Sequence, residues 1–362
     1  MAAHHHHHGP HGNHGHGCGC CAEHGGTAAT AETGGKERGM YIVTGGAGFI
    51  GSAMVWKLNE MGITDIVVVD NLASTEKWKN LVNRTYAEYL HRDAFLDLVL
   101  HDEVPWEVEA VIHMGACSST TERDADFLMD NNLRYTKAMC EFALGQGARF
   151  INASSAATYG DGSLGFDDSV QTMLRLKPLN MYGYSKQLFD LWAHREGRLD
   201  QIASLKFFNV YGPNEYHKGN MMSVVCKAFS QIGETGVMKL FRSYHPDYAD
   251  GGQMRDFVYV KDCVDAMWWL LRNPDANGLF NVGTGTAREW NHLARAVFAA
   301  MEREPVIEYM DMPEELRGKY QYFTQAPMRR LADAGCPVRF RSLEDGARDY
   351  VQNYLAQVDP YL

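Results

Sequence analysis

Tyr41–Asp70, YIVTGGAGFIGSAMVWKLNEMGITDIVVVD, decides how the rest of the chain is read. Tyr41, Ile42 and Val43 make a short apolar run with β-branched residues, the pattern of a buried strand. Glycines follow at Gly45, Gly48 and Gly51. Gly45 permits the tight turn off the strand, Gly48 lets backbone approach a pyrophosphate, and Gly51 lets the following helix pack close to the sheet. A phosphate would then lie at the helix N-terminus, where unpaired N–H groups and the helix dipole favour an anion. Ile66 to Val69 read as a second buried strand, and Asp70 closes it where an acid accepts hydrogen bonds from a ribose. Strand, turn, helix, strand and terminal acid together describe a dinucleotide-binding unit. The spacing is GxxGxxG rather than GxGxxG, so the evidence for chemistry must come from further along.

A chain of 362 residues, 45% hydrophobic and 22% charged, can bury one large or two modest cores. A net charge of -11 argues against nucleic-acid binding, which needs a basic face. No apolar stretch approaches the roughly 20 residues that span a bilayer, so a soluble, cytoplasmic protein is expected. Residues 1–39 carry nine of the 16 histidines, with Cys18, Cys20 and Cys21 among glycines. Such a composition cannot build a core, and a disordered tail is expected. Three readings of it stay open: a metal-scavenging segment, an expression remnant, or sequence upstream of a working start at Met40. Any divalent metal held there would be adventitious, because no fixed ligand spacing appears, and no metal site is expected elsewhere. Cys117, Cys140, Cys226, Cys263 and Cys336 form no CxxC pair, which fits a reducing compartment.

Beyond Asp70 the polar segment NLASTEKWKNL suits the rim of an adenosine site. Lys77 and Arg92 have two readings there, a pair around a ribose 2′-phosphate or ordinary solvated charge. Ala110–Met114, AVIHM, reads as the next strand and runs into small residues, as close passage of a cofactor needs. Phe127, Leu128, Asn131, Tyr135, Met139 and Phe142 recur at helical spacing. Asn131 in that helix either bridges backbone or lies beside the cofactor. Phe150 to Ala153 resume as a strand and deliver SSAATYG at its carboxyl end, the edge where open parallel sheets bind ligands.

Tyr182 and Lys186 stand four apart in NMYGYSKQLFDLW, so a helix puts both on one face. A lysine there stabilises a phenolate and lowers its pKa towards the working pH, while Ser155 hydrogen-bonds a reacting hydroxyl. Tyr184 has no such partner, since Leu188 follows it by four.

TGGAGFIGS with this YxxxK pair resembles the extended branch of the short-chain dehydrogenase/reductase superfamily, which acts on nucleotide sugars. Its dehydratases carry an Asp-Glu pair where this chain has Ala156 and Ala157, which removes that activity. ACSSTTE at 116–122, SSAATYG at 154–160 and FFNVYGPNEYHKGNMMSV at 207–224 resemble the ADP-L-glycero-D-manno-heptose 6-epimerase family. RDFVYVKD at 255–262, GLFNVGTG at 278–285 and GKYQYFTQA at 318–326 extend the resemblance almost to the last residue.

That resemblance implies transient oxidation of the sugar at carbon 6 by a tightly bound NADP, or NAD, and return of the hydride to the other face. Two acid/base residues are implied, Tyr182 and Lys218, with Ser155 and Lys186 completing the catalytic set. From the residue type alone, Lys218 reads as a phosphate contact ahead of a base with a pKa lowered by desolvation. Cofactor contacts are implied at Gly45, Gly48, Phe49, Ile50, Gly51, Asp70, Asn71, Lys77 and Arg92. Met114, Gly115, Ala116, Cys117, Ser118, Asn131, Lys186, Val210 and Lys218 complete them. Substrate contacts are implied at Asn209, Asn220, Lys227, Phe241, Arg255 and Tyr320. From the residues alone, Arg255 is equally a diphosphate fork or the partner of Asp256 in a surface ion pair. The family also implies a homo-oligomer, a pentamer, and a role in lipopolysaccharide core heptose. Departures from its pattern are YHKGN for GHKGS, Lys227 for histidine, and a loop at 242–254 lengthened by SYHPDYADGGQ.

The expected architecture is α/β, with a Rossmann doubly wound parallel sheet and a smaller α/β substrate domain. Residues 40–208 and 256–286 would form the cofactor domain, and 209–255 with 287–362 the nucleotide-sugar domain. Asp256 to Val260 and Leu279 to Val282 are both expected to return to the large sheet. Asp262 to Leu271 should be a helix, with Val264, Met267, Trp268 and Leu271 as core. The alternatives to this function are a UDP-hexose 4-epimerase and a non-catalytic protein that binds NADP or sequesters metal.

Overall fold

The computed structural model describes residues 39–362, and the expectation of a disordered His/Cys-rich tail lies outside the described residues. Along the chain the first strands are β1 (Met40–Thr44), β2 (Ile66–Asp70), β3 (Glu88–His91), β4 (Val108–His113), β5 (Arg149–Ser155) and β6 (Ala203–Phe207). β7 (Asn209–Tyr211), β8 (Met238–Phe241), β9 (Met254–Arg255), β10 (Phe257–Tyr259), β11 (Gly278–Val282), β12 (Arg288–Glu289) and β13 (Ile307–Met310) follow. Seven of these build one sheet in the order β11-β6-β5-β4-β1-β2-β3. Every pairing in it is parallel. The chain order reverses between β1 and β4, and in such sheets the crevice at that reversal is the ligand site.

Alternation along the strands divides the apolar residues between two cores. Val43, Val68, Ile112 and Ile151 point to one face, against the helices Phe49–Glu60 and Val260–Arg272. Ile42, Val67, Val69, Val111 and Phe150 point to the other, against Arg92–Leu100, Tyr135–Gly145 and Met181–Arg195. Successive side chains of a strand face opposite ways, so a sheet covered on both faces needs continuous apolar runs such as IVVV. Each of these side chains is fully buried, and such burial contributes about 1.5–3 kcal/mol per residue. A third core joins the helices Val224–Thr235, Trp290–Ala300 and Leu343–Tyr350 around Tyr211, Tyr259 and Phe298.

Two expectations are corrected by the strands and helices. Phe257–Tyr259 does not return to the large sheet but pairs with β7 in a separate two-stranded one. The cause is a bend after β6, where the Phe208 N–H still donates to the Val282 carbonyl at 3.0 Å while the Asn209 N–H donates to Asp256 at 3.1 Å. One strand thus changes partner within two residues. The helix read through Phe127 and Phe142 begins at Ala125, but a wider π-type turn occupies Met129–Arg134. That extra residue per turn rotates the apolar face, and Phe127 is exposed rather than in the core. The helix expected at Asp262–Leu271 is present as Val260–Arg272.

Candidate active site

β1 ends in the glycine turn. Gly45 adopts φ +62°, and a Cβ on Gly51 would lie 2.0 Å from the Gly45 carbonyl oxygen, so neither position admits a side chain. The Phe49–Glu60 helix begins at Gly48 with no side-chain cap, leaving its first N–H groups directed out of the turn. Asp70 at the end of β2 braces this arrangement. Its carboxylate accepts from the Ala47 N–H at 2.9 Å, the Asn71 N–H at 2.7 Å and Lys77 Nζ at 2.7 Å.

Met181–Arg195 is capped by the Asn180 side chain, which accepts from the Gly183 N–H at 2.7 Å. Tyr182 therefore sits in the first turn and Lys186 one turn on. Ser155, the last residue of β5, shares the cavity with Tyr182, and its hydroxyl opposes the upward push that burial gives the phenol. Lys186 Nζ donates to the Ala153 carbonyl at 2.7 Å, and burial lowers it to about 8 against the pull of Asp190. The expected lowering of the phenol by Lys186 is absent from this arrangement, because the ammonium is turned to the strand end. Lys218, from the turn Tyr216–Met221, lies 5.4 Å from the centre of the Phe49 ring. Burial lowers its pKa, and Glu215 opposes that.

These groups share a cavity of about 420 Å³ at the carboxyl ends of β1, β4 and β5. Gly45, Gly48, Phe49, Ile50, Gly51, Asp70, Lys77, Met114, Gly115, Ala116, Ser118, Ser155, Tyr182, Lys186, Val210 and Lys218 line it. A neighbouring cavity of about 220 Å³ holds Asn71, Arg92, Cys117 and Asn131, and shares Gly45, Asp70, Lys77, Gly115 and Ala116 with the first. A glycine turn, an uncapped helix start and small residues at 115 and 116 fit an elongated dinucleotide across both. Arg92 stacks on the Tyr135 ring at 4.5 Å, which holds it at that second cavity rather than in solvent.

The substrate set lies apart from both linings. Lys227 Nζ donates to the Asn220 carbonyl at 2.6 Å, on an exposed surface. Asn209 is exposed in β7. Arg255 lies 5.1 Å from the Tyr320 ring centre and 5.7 Å from that of Trp290, and Phe241 meets Tyr320 edge to face. The ion pair of Arg255 with Asp256 is not formed. Asp256 instead accepts from the N–H groups of Thr284, Gly285 and Ala326 and from the Thr284 hydroxyl. The lengthened loop is pinned, since Ser243 N–H donates to Asp250, Tyr244 N–H to the Tyr322 hydroxyl, and Tyr248 stacks against Tyr322.

Several residues at the site were not found from sequence. His217, Thr75 and Phe208 line the main cavity, and Trp290 donates to the Tyr320 hydroxyl at 3.0 Å. Asn132, beside the expected Asn131, is fully buried and holds both the N–H and the carbonyl of Cys117 while donating to Ser185. The two alternatives for Asn131 are thus divided: Asn132 bridges backbone, and Asn131 faces the cavity.

The profile of the NAD dependent epimerase/dehydratase family matches residues 41–283. A protein of Nitratidesulfovibrio vulgaris named ADP-L-glycero-D-manno-heptose-6-epimerase is 77% identical over 323 residues, covering 89% of this chain and 100% of its own. The chain belongs to the ADP-L-glycero-D-manno-heptose-6-epimerase family. A Fusobacterium nucleatum member of this epimerase family is 50% identical over 89% of this chain and 100% of its own. A crystal structure of the Helicobacter pylori epimerase superposes with a TM-score of 0.74 at 26% identity, covering 88% of this chain and 96% of that one. The family assignment and the sheet order agree with the nicotinamide cofactor and isomerase class expected from the glycine turn and YxxxK.

Proposed function

We propose that this protein interconverts the two carbon 6 epimers of ADP-glycero-D-manno-heptose. The observation that carries the reading is that Tyr182 and Lys218, two side chains able to hold or release a proton, line one cavity with the glycine turn. A bound nicotinamide supplies a hydride acceptor and then a hydride donor at carbon 6, so the cycle consumes no oxidant. Tyr182 takes the hydroxyl proton from one epimer and returns it in the reverse direction, with Ser155 beside it in the cavity lining. Lys218 does the same for the other epimer, and burial lowers its pKa as a base at neutral pH requires. Lys186 orients the cofactor ribose beneath Tyr182. The Arg255, Tyr320 and Phe241 cluster, with Lys227, Asn220 and Asn209, belongs to the nucleotide-sugar part formed by 209–255 and 287–362, while 40–208 and 256–286 hold the cofactor.

NADP is the proposed cofactor. Asp70 carries Lys77 on one oxygen, so a 2′-phosphate meets Lys77 and Arg92 rather than a bare carboxylate. Lys77→Ala is expected to weaken NADP by about 10-fold, the size of about 1.4 kcal/mol, and NAD by less than about 3-fold. Equilibrium binding of both to the stripped enzyme checks it, and equal losses would reject the assignment. A cytoplasmic homo-oligomer feeding lipopolysaccharide core synthesis is the setting proposed from the resemblance. Among the described residues no helix is long and apolar enough to cross a membrane.

The test is incubation of the purified holoenzyme with ADP-D-glycero-D-manno-heptose and NMR of carbon 6. A mixture of epimers without added cofactor is expected. No conversion, even with NADP and NAD supplied, would refute the reading and leave UDP-hexoses as the next substrates to assay.

A further inference from the structure

The buried carboxylate of Glu215 lies outside the cavity and outside every role assigned above. Its Oε2 accepts from the Gly212 N–H at 3.0 Å, the Ser223 hydroxyl at 2.8 Å and the Tyr350 hydroxyl at 3.0 Å. Its Oε1 accepts from the Ser223 N–H. Burial pushes the Glu215 carboxyl up, and the four donors, two of them backbone N–H groups that only donate, oppose that rise and favour the ionised form. Gly212 and Ser223 bound the segment that carries Lys218. One side chain therefore closes that segment into a loop and ties it to the Leu343–Tyr350 helix. Ser223 also caps Val224–Thr235 through the Cys226 N–H at 3.3 Å, so the carboxylate fixes the start of that helix too.

A second anchor fixes the same loop to the cofactor turn. Asn80 Nδ2 donates to the Ala47 carbonyl at 2.8 Å and to the Asn214 carbonyl at 3.1 Å. Asn214 Nδ2 in turn donates to the Ser52 hydroxyl at 3.0 Å. With the loop held at both places, Lys218 has little freedom other than its own side-chain rotation.

We infer that Glu215 is a positioning residue for Lys218, holding the loop that carries it and keeping a carboxylate in its neighbourhood. The inference rests on Lys218 as the second acid/base group. The groups around the pair leave few other charges. His217 is lowered to about 4 by burial and by the lysines, Cys226 on Val224–Thr235 is raised to about 11, and burial holds Tyr216 and Tyr350 protonated. On the cofactor side Lys77 and Asp70 pair with each other.

Removing a negative charge beside an ammonium lowers its pKa, so the rising limb of the kcat profile should move to lower pH in Glu215→Gln. The measurement is epimerisation by the holoenzyme across pH, with bound cofactor and melting temperature recorded. A limb displaced by about 0.5–1 unit, a kcat lower by about 10-fold at its plateau and a KM within about 3-fold are expected. Glu215→Asp, which keeps the charge, should leave the limb in place. A lower kcat with an unmoved limb reduces Glu215 to a structural role and overturns the inference, as does an unchanged kcat. Should Glu215→Gln not fold, Tyr350→Phe removes one donor at a distance from the cavity. Faster deuterium exchange across 216–222 with a lower kcat is then expected, and neither change overturns the inference. Lys218→Met run alongside separates the two failures. Full activity there removes the two-base reading itself, whereas lost activity there with normal Glu215→Gln kinetics removes the role of Glu215 alone.

Discussion

Tyr182→Phe should lower epimerisation by roughly 10²–10⁴-fold, the range that a positioned proton-transfer group contributes. The substitution removes one oxygen from a side chain in the first turn of a helix that Asn180 caps. Folding and cofactor retention should therefore be close to those of the unaltered protein. The check is initial rates from each epimer, by NMR, with the bound nicotinamide quantified after denaturation. Retained turnover would exclude Tyr182 as acid or base. Burial lowers Lys186 to about 8, so its ammonium is lost as pH rises through that value, and the hold on a bound nucleotide that depends on its charge should weaken there.

The second large effect is expected from Lys218→Met, which keeps an unbranched apolar stem one atom shorter while removing the amine that lies over Phe49. Net conversion should again fall by roughly 10²–10⁴-fold. With Tyr182 intact, however, one epimer should still exchange its carbon 6 hydrogen with the cofactor. Transfer of deuterium from carbon 6 of one epimer, and not of the other, is the signature of two groups serving two substrate orientations. Normal net conversion would return Lys218 to a phosphate contact. Loss of exchange from both epimers would instead make it a binding residue.

The cofactor side of the cavity was legible because its residues are dictated locally. Gly45 at positive φ and Gly51 under a carbonyl each follow from a few consecutive residues, whereas Asp70, read from sequence as a ribose acceptor, takes the Ala47 N–H from 23 residues away. Tyr182 and Lys186 were legible for the same reason, one helical turn apart. Contacts between distant segments were not. Asn80 reaches Asn214 and Glu215 reaches Tyr350 across long separations in sequence, and nothing in their immediate neighbours marks them. The division of labour between Asn131 and Asn132 turns on which of two adjacent helical positions faces the cavity, and the apolar spacing of the helix does not mark it. Phe257–Tyr259 read correctly as a strand but was given the wrong partner, since the bend at Phe208 is fixed by long-range pairing.

The bracing role of Asp70 limits how this lineage can change its redox currency. In many dinucleotide sites the terminal acid faces the ribose alone, and exchanging it is the short route between NAD and NADP. Here the same carboxylate holds the glycine turn through Ala47 and fixes Lys77. Its replacement would loosen the pyrophosphate seat for either dinucleotide. A switch of preference is therefore reachable by drift at Lys77 and Arg92, whose side chains carry no part of the turn, while Asp70 stays as it is.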